Sequence, residues 1–420
     1  MTDVLVIGAG LSGLVAAIAA AQRGARTRIV ATGMGAMHWT PGTIGALGYL
    51  PGGQKLVKRP FEAMDALAQA RPRHPYTLLE ADALRKSLET FAELAASLGL
   101  PYLGAEDGGN LLLPSPVGAP RPVFLAPDGQ VEGHMGRPEP YLIVGFQALR
   151  DFYPTLIAEN LIKLGFQARA EFLPIEIITQ RRDFTTVHLA QALDDDAAAA
   201  RLADALKRII RPGERVGLPA ILGMKRHAYT LATLRGALDA PIFEIPTLPP
   251  SAPGIRLISA LREYFERTLH GRMDLGLTVT DFAVQDGAIA WVSSQASARP
   301  VKHRAERFLL ATGGILGGGF DSDFTGRVQE VIFDLPVDAP QKRRDWFHPD
   351  FLAPDGHPLF RGGLRVAADF RPVDRDGRAV FKNLWAAGNL FADADPIAER
   401  SMEGVAIATA HAAVNKLLEA

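Results

Sequence analysis

A chain of 420 residues holds about two to three domains and a sizeable core. It is 48% hydrophobic and 22% charged with a net charge of −1, which gives no electrostatic footprint for nucleic acid or an anionic membrane. It contains no cysteine, which excludes disulfides, a catalytic thiol and iron–sulfur ligation by this chain.

Residues 3–7 read Asp-Val-Leu-Val-Ile, a short apolar run expected as a buried parallel strand. Gly8, Gly10 and Gly13 follow at G-x-G-x-x-G spacing, and residues 14–22 form an Ala-rich helix ended by Gly24. Gly8 permits the tight turn. Gly10 lets a pyrophosphate approach the backbone, and Gly13 lets the helix pack close on the strand. Gly8, Gly10, Leu11, Ser12 and Gly13 are therefore the candidate cofactor cradle, with the helix start facing phosphate charge. Residues 4–21 are long enough to mimic a membrane span, but three glycines and a serine at their heart favour strand, turn and helix. No charged stretch precedes the first strand, so no signal peptide is expected.

The second strand is expected at 26–31. Dinucleotide folds place an acidic residue near its end, and Val30-Ala31-Thr32-Gly33 has none, which makes NAD a poor fit. Residues 33–53 form a Gly-rich loop beside the cofactor and carry His38. Helices are expected at 60–70 and 78–98, and short antiparallel strands at 105–137. Then come a strand at 141–145, a helix at 151–164, a strand at 172–178, a helix at 190–210 and a strand at 215–222. Asp194 to Asp196 form an acidic run, read as a solvated helical face rather than a metal site. The prolines of 241–257 forbid a regular helix and suggest a crossover. Arg256 starts a helix over 257–269. A hairpin turns at Asp286-Gly287, a buried strand at 307–312 runs into Gly313-Gly314, and 383–388 is a last short strand. Residues 402–418 form the closing helix.

Three glycine sites thus recur in order: Gly8 to Gly13, Ala311-Thr312-Gly313-Gly314, and Ala386-Ala387-Gly388 followed by the helix carrying Gly404. Together they resemble the two-dinucleotide-binding-domain flavoproteins, the superfamily of the fumarate reductase flavoproteins. The resemblance implies an α/β fold, a Rossmann-like flavin-binding domain with an inserted cap domain. It implies a pyrophosphate at the first glycine site and cofactor contact at Thr312, Gly313 and Gly314. It implies that Gly388, Gly404 and Val405 help to hold the isoalloxazine. The expected division is a discontinuous flavin domain of residues 1–60, 250–330 and 370–420, a cap of 61–249, and an irregular connection of 331–369.

Further blocks sharpen the resemblance. Ala36-Met37-His38-Trp39-Thr40-Pro41-Gly42-Thr43, His74-Pro75-Tyr76-Thr77-Leu78-Leu79-Glu80, Pro246-Thr247-Leu248-Pro249-Pro250-Ser251 with Gly254-Ile255-Arg256-Leu257, and Asp395-Pro396-Ile397-Ala398 resemble the B subunit of anaerobic glycerol-3-phosphate dehydrogenase. The chain departs from that family at Glu399 to Glu403, where a glycine-rich run is usual. The resemblance implies a flavin subunit that pairs with a second flavin subunit. A third, iron–sulfur, membrane-anchoring subunit would complete the complex, cytoplasmic and peripheral at the inner face of the membrane. It implies oxidation of sn-glycerol 3-phosphate to dihydroxyacetone phosphate with electrons passing to a quinone. It implies FMN, whereas the glycine motif favours FAD.

His38 is the candidate residue at the flavin ring, as base or potential-tuning group, and Arg256 is the candidate for the substrate anion. Arg361 and Arg365 are weaker anion candidates. Three activities compete: this dehydrogenase subunit, an electron-transfer subunit that never touches the alcohol, and another flavin dehydrogenase or fumarate-type reductase.

Overall fold

A computed structural model describes residues 2–52, 55–80, 82–295 and 299–420. The chain divides into two compact units: residues 1–36, 45–91 and 260–420 form the first, and residues 37–44 and 92–259 the second.

The first unit is built on five parallel strands in the order Arg272–Leu275, Thr27–Ala31, Thr2–Ile7, Ala305–Leu310 and Leu384–Ala386. The central strand is buried from Val4 to Ile7, which is why its sequence is uninterruptedly apolar there. The helix Leu11–Gln22 follows directly and packs on the sheet and on the closing helix Met402–Glu419. Residues 11–20 are all buried, so its composition is apolar all round rather than striped. Alanines on both helices allow the close approach. The antiparallel hairpin Thr278–Gln285 and Ala288–Gln295 turns at Asp286 (φ 52°) and Gly287 (φ 77°), the paired positive φ of the tight turn expected there.

The second unit holds a parallel sheet in the order Ile242–Ile245, Arg215–Pro219, Tyr141–Phe146 and Ala168–Leu173. Helices Pro154–Lys163, Asp196–Lys207 and His227–Leu238 accompany it, and Leu, Ile, Val and Phe side chains fill the core between them. Arg215 is fully buried. Its guanidinium donates to the carbonyls of Glu132, His134, Arg137 and Glu139 and lies 3.8 Å from the Tyr141 ring centre.

Several expected elements change. The single helix over 190–210 is two, Thr186–Ala192 and Asp196–Lys207. The acidic run explains the break. Asp195 caps the second helix through the Ala198 N–H, and Asp194 accepts the N–H groups of Met224, Lys225 and Arg226. Asp196 pairs with Arg226 at 2.7 Å. The strand expected at 172–178 lies at Ala168–Leu173. The helix expected from Arg256 begins at Ala252, because Pro253 falls in the first turn, where no N–H is needed. The helix His227–Leu238 and the strand Ile242–Ile245 stand where no element was expected; a buried Glu244 in a four-residue strand hides its apolar pattern.

The unit boundaries also differ from those expected. Residues 61–91 group with the first unit, since the Tyr76 hydroxyl donates to Ala46 O at 2.6 Å and His74 Nε2 meets Glu399 at 3.0 Å. Residues 331–369 group with it too, tied by the Leu364 N–H to Leu390 O at 2.7 Å and the Ala392 N–H to Leu364 O at 3.0 Å. Residues 37–44 group with the second unit, where Tyr102 donates to Gly42 O and Ile44 bridges Leu125.

Candidate functional site

The first unit brings the three glycine turns together. Gly8 ends the central strand at φ +116°, and a Cβ there would stand 2.2 Å from Ala311 O. A Cβ on Gly13 would stand 2.0 Å from Gly8 O. Packing within the chain therefore demands glycine at both. Gly10 is different. Its φ is −73° and the nearest atom to a Cβ is Gly35 Cα at an ordinary 3.7 Å. Nothing in the fold requires glycine at 10, so the backbone there is left open to the approach of a ligand. Gly10 is also the N-cap of the first helix, with no side-chain cap and no acidic residue in the first turn. Its orphan N–H groups suit an anion.

The second turn follows the strand Ala305–Leu310. Gly313 takes φ +78°, and a Cβ on Gly314 would stand 2.3 Å from Asn389 O. In the third turn Gly388 takes φ +93°, and a Cβ there would stand 2.5 Å from Ser12 Oγ. The Gly388 N–H donates to Thr409 Oγ1 at 2.8 Å. Two buried polar atoms of these turns, Thr312 Oγ1 and Asn389 Oδ1, have no hydrogen-bond partner among the described residues. A dinucleotide fits this set: a backbone left open at Gly10, an uncapped helix start, and orphaned buried polar atoms beside them. Asn389 was not singled out by sequence reasoning, although it directly follows the Ala-Ala-Gly signal.

The closing helix departs from expectation. The Gly404 N–H donates to Gly45 O at 2.9 Å, and the Val405 N–H bonds Ser401 O within the helix. Glu403 Oε2 accepts the Gly45 N–H at 3.2 Å. The amides of Gly404 and Val405 are thus engaged by the chain itself and offer no donor to a ring. Gly404 is glycine because a Cβ would stand 2.3 Å from the Tyr76 hydroxyl. That hydroxyl sits in full burial next to Glu399 and Glu403, which pushes its pKa well above the ordinary value.

Sequence reasoning also missed the fully buried pair of His74 and Glu399. His74 Nδ1 accepts the Tyr76 N–H at 3.1 Å, so Nε2 carries the proton it shares with Glu399 Oε2 at 3.0 Å. Ser401 Oγ donates to the same oxygen at 3.1 Å, and Glu399 Oε1 has no partner among the described residues. Both residues lie in or beside blocks already notable in sequence, but their pairing spans 325 residues. Nearby Asp395 has its pKa raised by burial.

The second unit carries His38 and Arg256. His38 is half-buried in the short turn Met37–Trp39, with its ring 5.7 Å edge-on from Trp39. Its carbonyl accepts the Ser251 N–H at 2.7 Å, and a Cβ on Gly254 would stand 1.9 Å from Met37 O. The proline-rich block thus clamps the backbone of this turn. Among the described residues the His38 ring has no hydrogen-bond partner, which leaves its nitrogens for a ligand. Arg256 does not answer to its expected role. It is buried, with Nη1 and Nη2 bound to Glu244 at 2.7 and 2.8 Å and Nε donating to Gly223 O at 2.7 Å. The fork that would match a phosphate is spent on a carboxylate. Arg365 pairs with Asp338, and Arg361 donates to the Asp355 carbonyl. No group of three or more metal-ligating side chains lies together among the described residues. Nor is any described helix long and apolar enough to cross a membrane.

The parallel sheet and its converging glycine turns define a flavoprotein of the FAD-binding type, and the profile of the FAD binding domain matches residues 3–404. FMN finds no support. The chain is 31% identical over 427 aligned residues to the B subunit of anaerobic glycerol-3-phosphate dehydrogenase from Vibrio cholerae, covering 99% of this chain and 96% of that one. It is 32% identical to the B subunit from Yersinia pestis, over 97% and 96% of the two chains. It is 33% identical to the probable B subunit from Halobacterium salinarum, over 100% and 98%. The chain belongs to the family of the anaerobic glycerol-3-phosphate dehydrogenase B subunits, oxidoreductase flavoproteins named as parts of a multi-subunit assembly. Among solved structures it is similar to a 3-ketosteroid Δ1-dehydrogenase from Sterolibacterium denitrificans, with a TM-score of 0.46 and 10% identity over 100% of this chain and 99% of that one. It is also similar to an E. coli quinol fumarate reductase chain, with a TM-score of 0.45 and 11% identity over 100% and 70%.

Proposed function

We propose that this chain is the FAD-bearing B subunit of a glycerol-3-phosphate dehydrogenase complex. The complex oxidises sn-glycerol 3-phosphate to dihydroxyacetone phosphate and sends the electrons toward a quinone. Gly10 carries the cofactor part of this reading, as the one glycine of the motif that the fold does not require. The full-length relatives carry the substrate part. In this reading Gly8, Gly10, Leu11, Ser12 and Gly13 hold the pyrophosphate. Thr312, Gly313, Gly314, Gly388 and Asn389 pass along the rest of the cofactor. A flavin held by these residues would supply the hydride acceptor for the carbinol carbon. His38 takes the hydroxyl proton as the C=O bond forms, or hydrogen-bonds the ring edge and sets its potential. Partners are a second flavin subunit and an iron–sulfur, membrane-anchoring subunit, consistent with a chain that has no cysteine to ligate a cluster. The protein works in the cytoplasm, peripheral to the membrane through that complex.

One observation favours a second reading, in which the protein relays electrons and never touches the alcohol. Arg256, the residue expected to grip the phosphate, is locked to Glu244. Rapid mixing of the isolated FAD-loaded protein with sn-glycerol 3-phosphate separates the two. Bleaching of the flavin by substrate in the isolated protein supports direct oxidation. Bleaching only when the partner flavin subunit is added supports the relay. No bleaching in the assembled complex overturns both.

A further inference from the structure

A cavity in the second unit has a chemistry that neither the cofactor nor the charged substrate uses. Its floor is made by His227, Pro127, Pro253 and Arg256, all buried, and its mouth by Pro101 and Ala228, both exposed. It offers about 30 Å³ to the centres of water-sized groups. One water needs roughly 10–15 Å³ on that measure, so there is room for two or three such groups in a row. The walls are mostly apolar.

His227 supplies the polar contact. Its Nδ1 lies 2.6 Å from Leu222 O, a carbonyl that can only accept, so Nδ1 carries the proton and Nε2 presents a lone pair. Nε2 is buried and has no hydrogen-bond partner among the described residues. A Cβ on Gly129 would stand 2.6 Å from Nε2, so glycine at that position keeps the ring edge open. Burial, with Arg256 nearby, holds the ring below its ordinary pKa and in this neutral form. A buried acceptor without a donor is costly, of order 1–3 kcal/mol.

The surrounding charges cancel. Glu244 holds Arg256 with both oxygens, and Asp128, at the cavity wall, is paired with Arg235 at 2.8 Å. Among the described residues Arg256 is the sole permanent cation lining the cavity, and it is already bound. An anion such as a phosphate finds no unpaired cation here. A cation finds no unpaired carboxylate. What fits is a neutral molecule with a hydroxyl to donate and a short apolar body.

We propose that this cavity is a binding site for a small uncharged alcohol or diol, whose hydroxyl donates to His227 Nε2 while its carbons lie on the proline walls.

Ethane-1,2-diol is a suitable probe, followed by long-range ¹H–¹⁵N correlation spectra of the full FAD-loaded chain with ¹⁵N-labelled histidine. His227→Gln assigns the resonance. The blocking variant is Ala228→Leu, at an exposed mouth position on a helix, where leucine is a good helix former. The expected result is a saturable shift of the His227 Nε2 resonance in the unmodified chain. In Ala228→Leu the affinity should fall at least about tenfold, as steric exclusion from a small apolar pocket allows. No shift of His227 at any diol concentration overturns the proposal, since the cavity is then a water site. An equal shift in Ala228→Leu also overturns it, because the diol would be reaching the ring by another route.

Discussion

Glu244 holds Arg256 with both carboxylate oxygens, at 2.7 and 2.8 Å, and both side chains are almost wholly removed from water. Burial alone would raise the Glu244 pKa, but the adjacent guanidinium outweighs it and holds the carboxyl below its ordinary value of 4.5. An arginine so placed is structural. Arg256→Leu should cost about 3–5 kcal/mol by stranding a buried carboxylate, and Arg256→Leu with Glu244→Leu should cost clearly less. Denaturant unfolding of the single and double variants measures this. A single variant with native stability and a raised Michaelis constant for the phosphate substrate would restore the anion-binding role.

The same pair sets a pH dependence. A carboxyl whose folded pKa is depressed binds fewer protons folded than unfolded. Its contribution is fully present above the unfolded value of about 4.5 and is lost as pH falls through the folded value. Stability should therefore drop below about pH 4.5, and Glu244→Gln should flatten that limb while lowering stability at neutral pH. Urea midpoints across the acidic range up to neutrality test it.

Gly10 and Gly13 should separate folding from binding. Gly13→Ala puts a Cβ 2.0 Å from Gly8 O and should impair folding. Gly10→Ala meets only Gly35 Cα at 3.7 Å, so the variant should fold normally and lose FAD affinity by tenfold or more, about 1.4 kcal/mol or greater. FAD content after purification, with thermal unfolding of the stripped protein, checks both halves. Full FAD content in Gly10→Ala would move the pyrophosphate elsewhere.

Thr312 offers a complementary test. Its Oγ1 is buried without a partner among the described residues. Thr312→Val removes an unsatisfied hydroxyl, so the flavin-free protein should be as stable or slightly more stable. If the cofactor bonds this hydroxyl, FAD affinity should fall by a few-fold to tenfold, because the variant leaves that cofactor atom without its partner. Equal FAD affinity in the variant would make the orphaned hydroxyl a packing feature.

His38→Ala should retain FAD, because the clamp on this turn uses the His38 carbonyl and not its ring. If the ring is the base, flavin reduction by substrate should slow about 10²–10⁴-fold with little change in potential. If it tunes the ring, the potential should shift in a redox titration. Unchanged rate and potential would make His38 a loop residue.

Sequence alone determined the local parts of this protein. The strand, turn and helix from Thr2 to Gln22 were legible because a buried parallel strand, a glycine turn and an all-apolar helix each impose a short-range pattern. The Asp286-Gly287 turn was legible for the same reason, since positive φ at two adjacent positions restricts residue choice. The tertiary structure decided what depends on distant partners. Whether Arg256 is free or spent rests on Glu244, in a strand whose single buried charge masks it. Whether the Gly404 amide faces a ligand rests on Gly45, far away in the chain, whose carbonyl takes it, while the Val405 amide is taken locally by Ser401 O. The motif assigns Gly8 the turn, Gly10 the ligand approach and Gly13 the helix packing, but the steric difference between Gly10 and its neighbours is not in it. It emerges only when the space around each Cα is known, because backbone packing forbids a side chain at Gly8 and Gly13 and leaves room for one at Gly10.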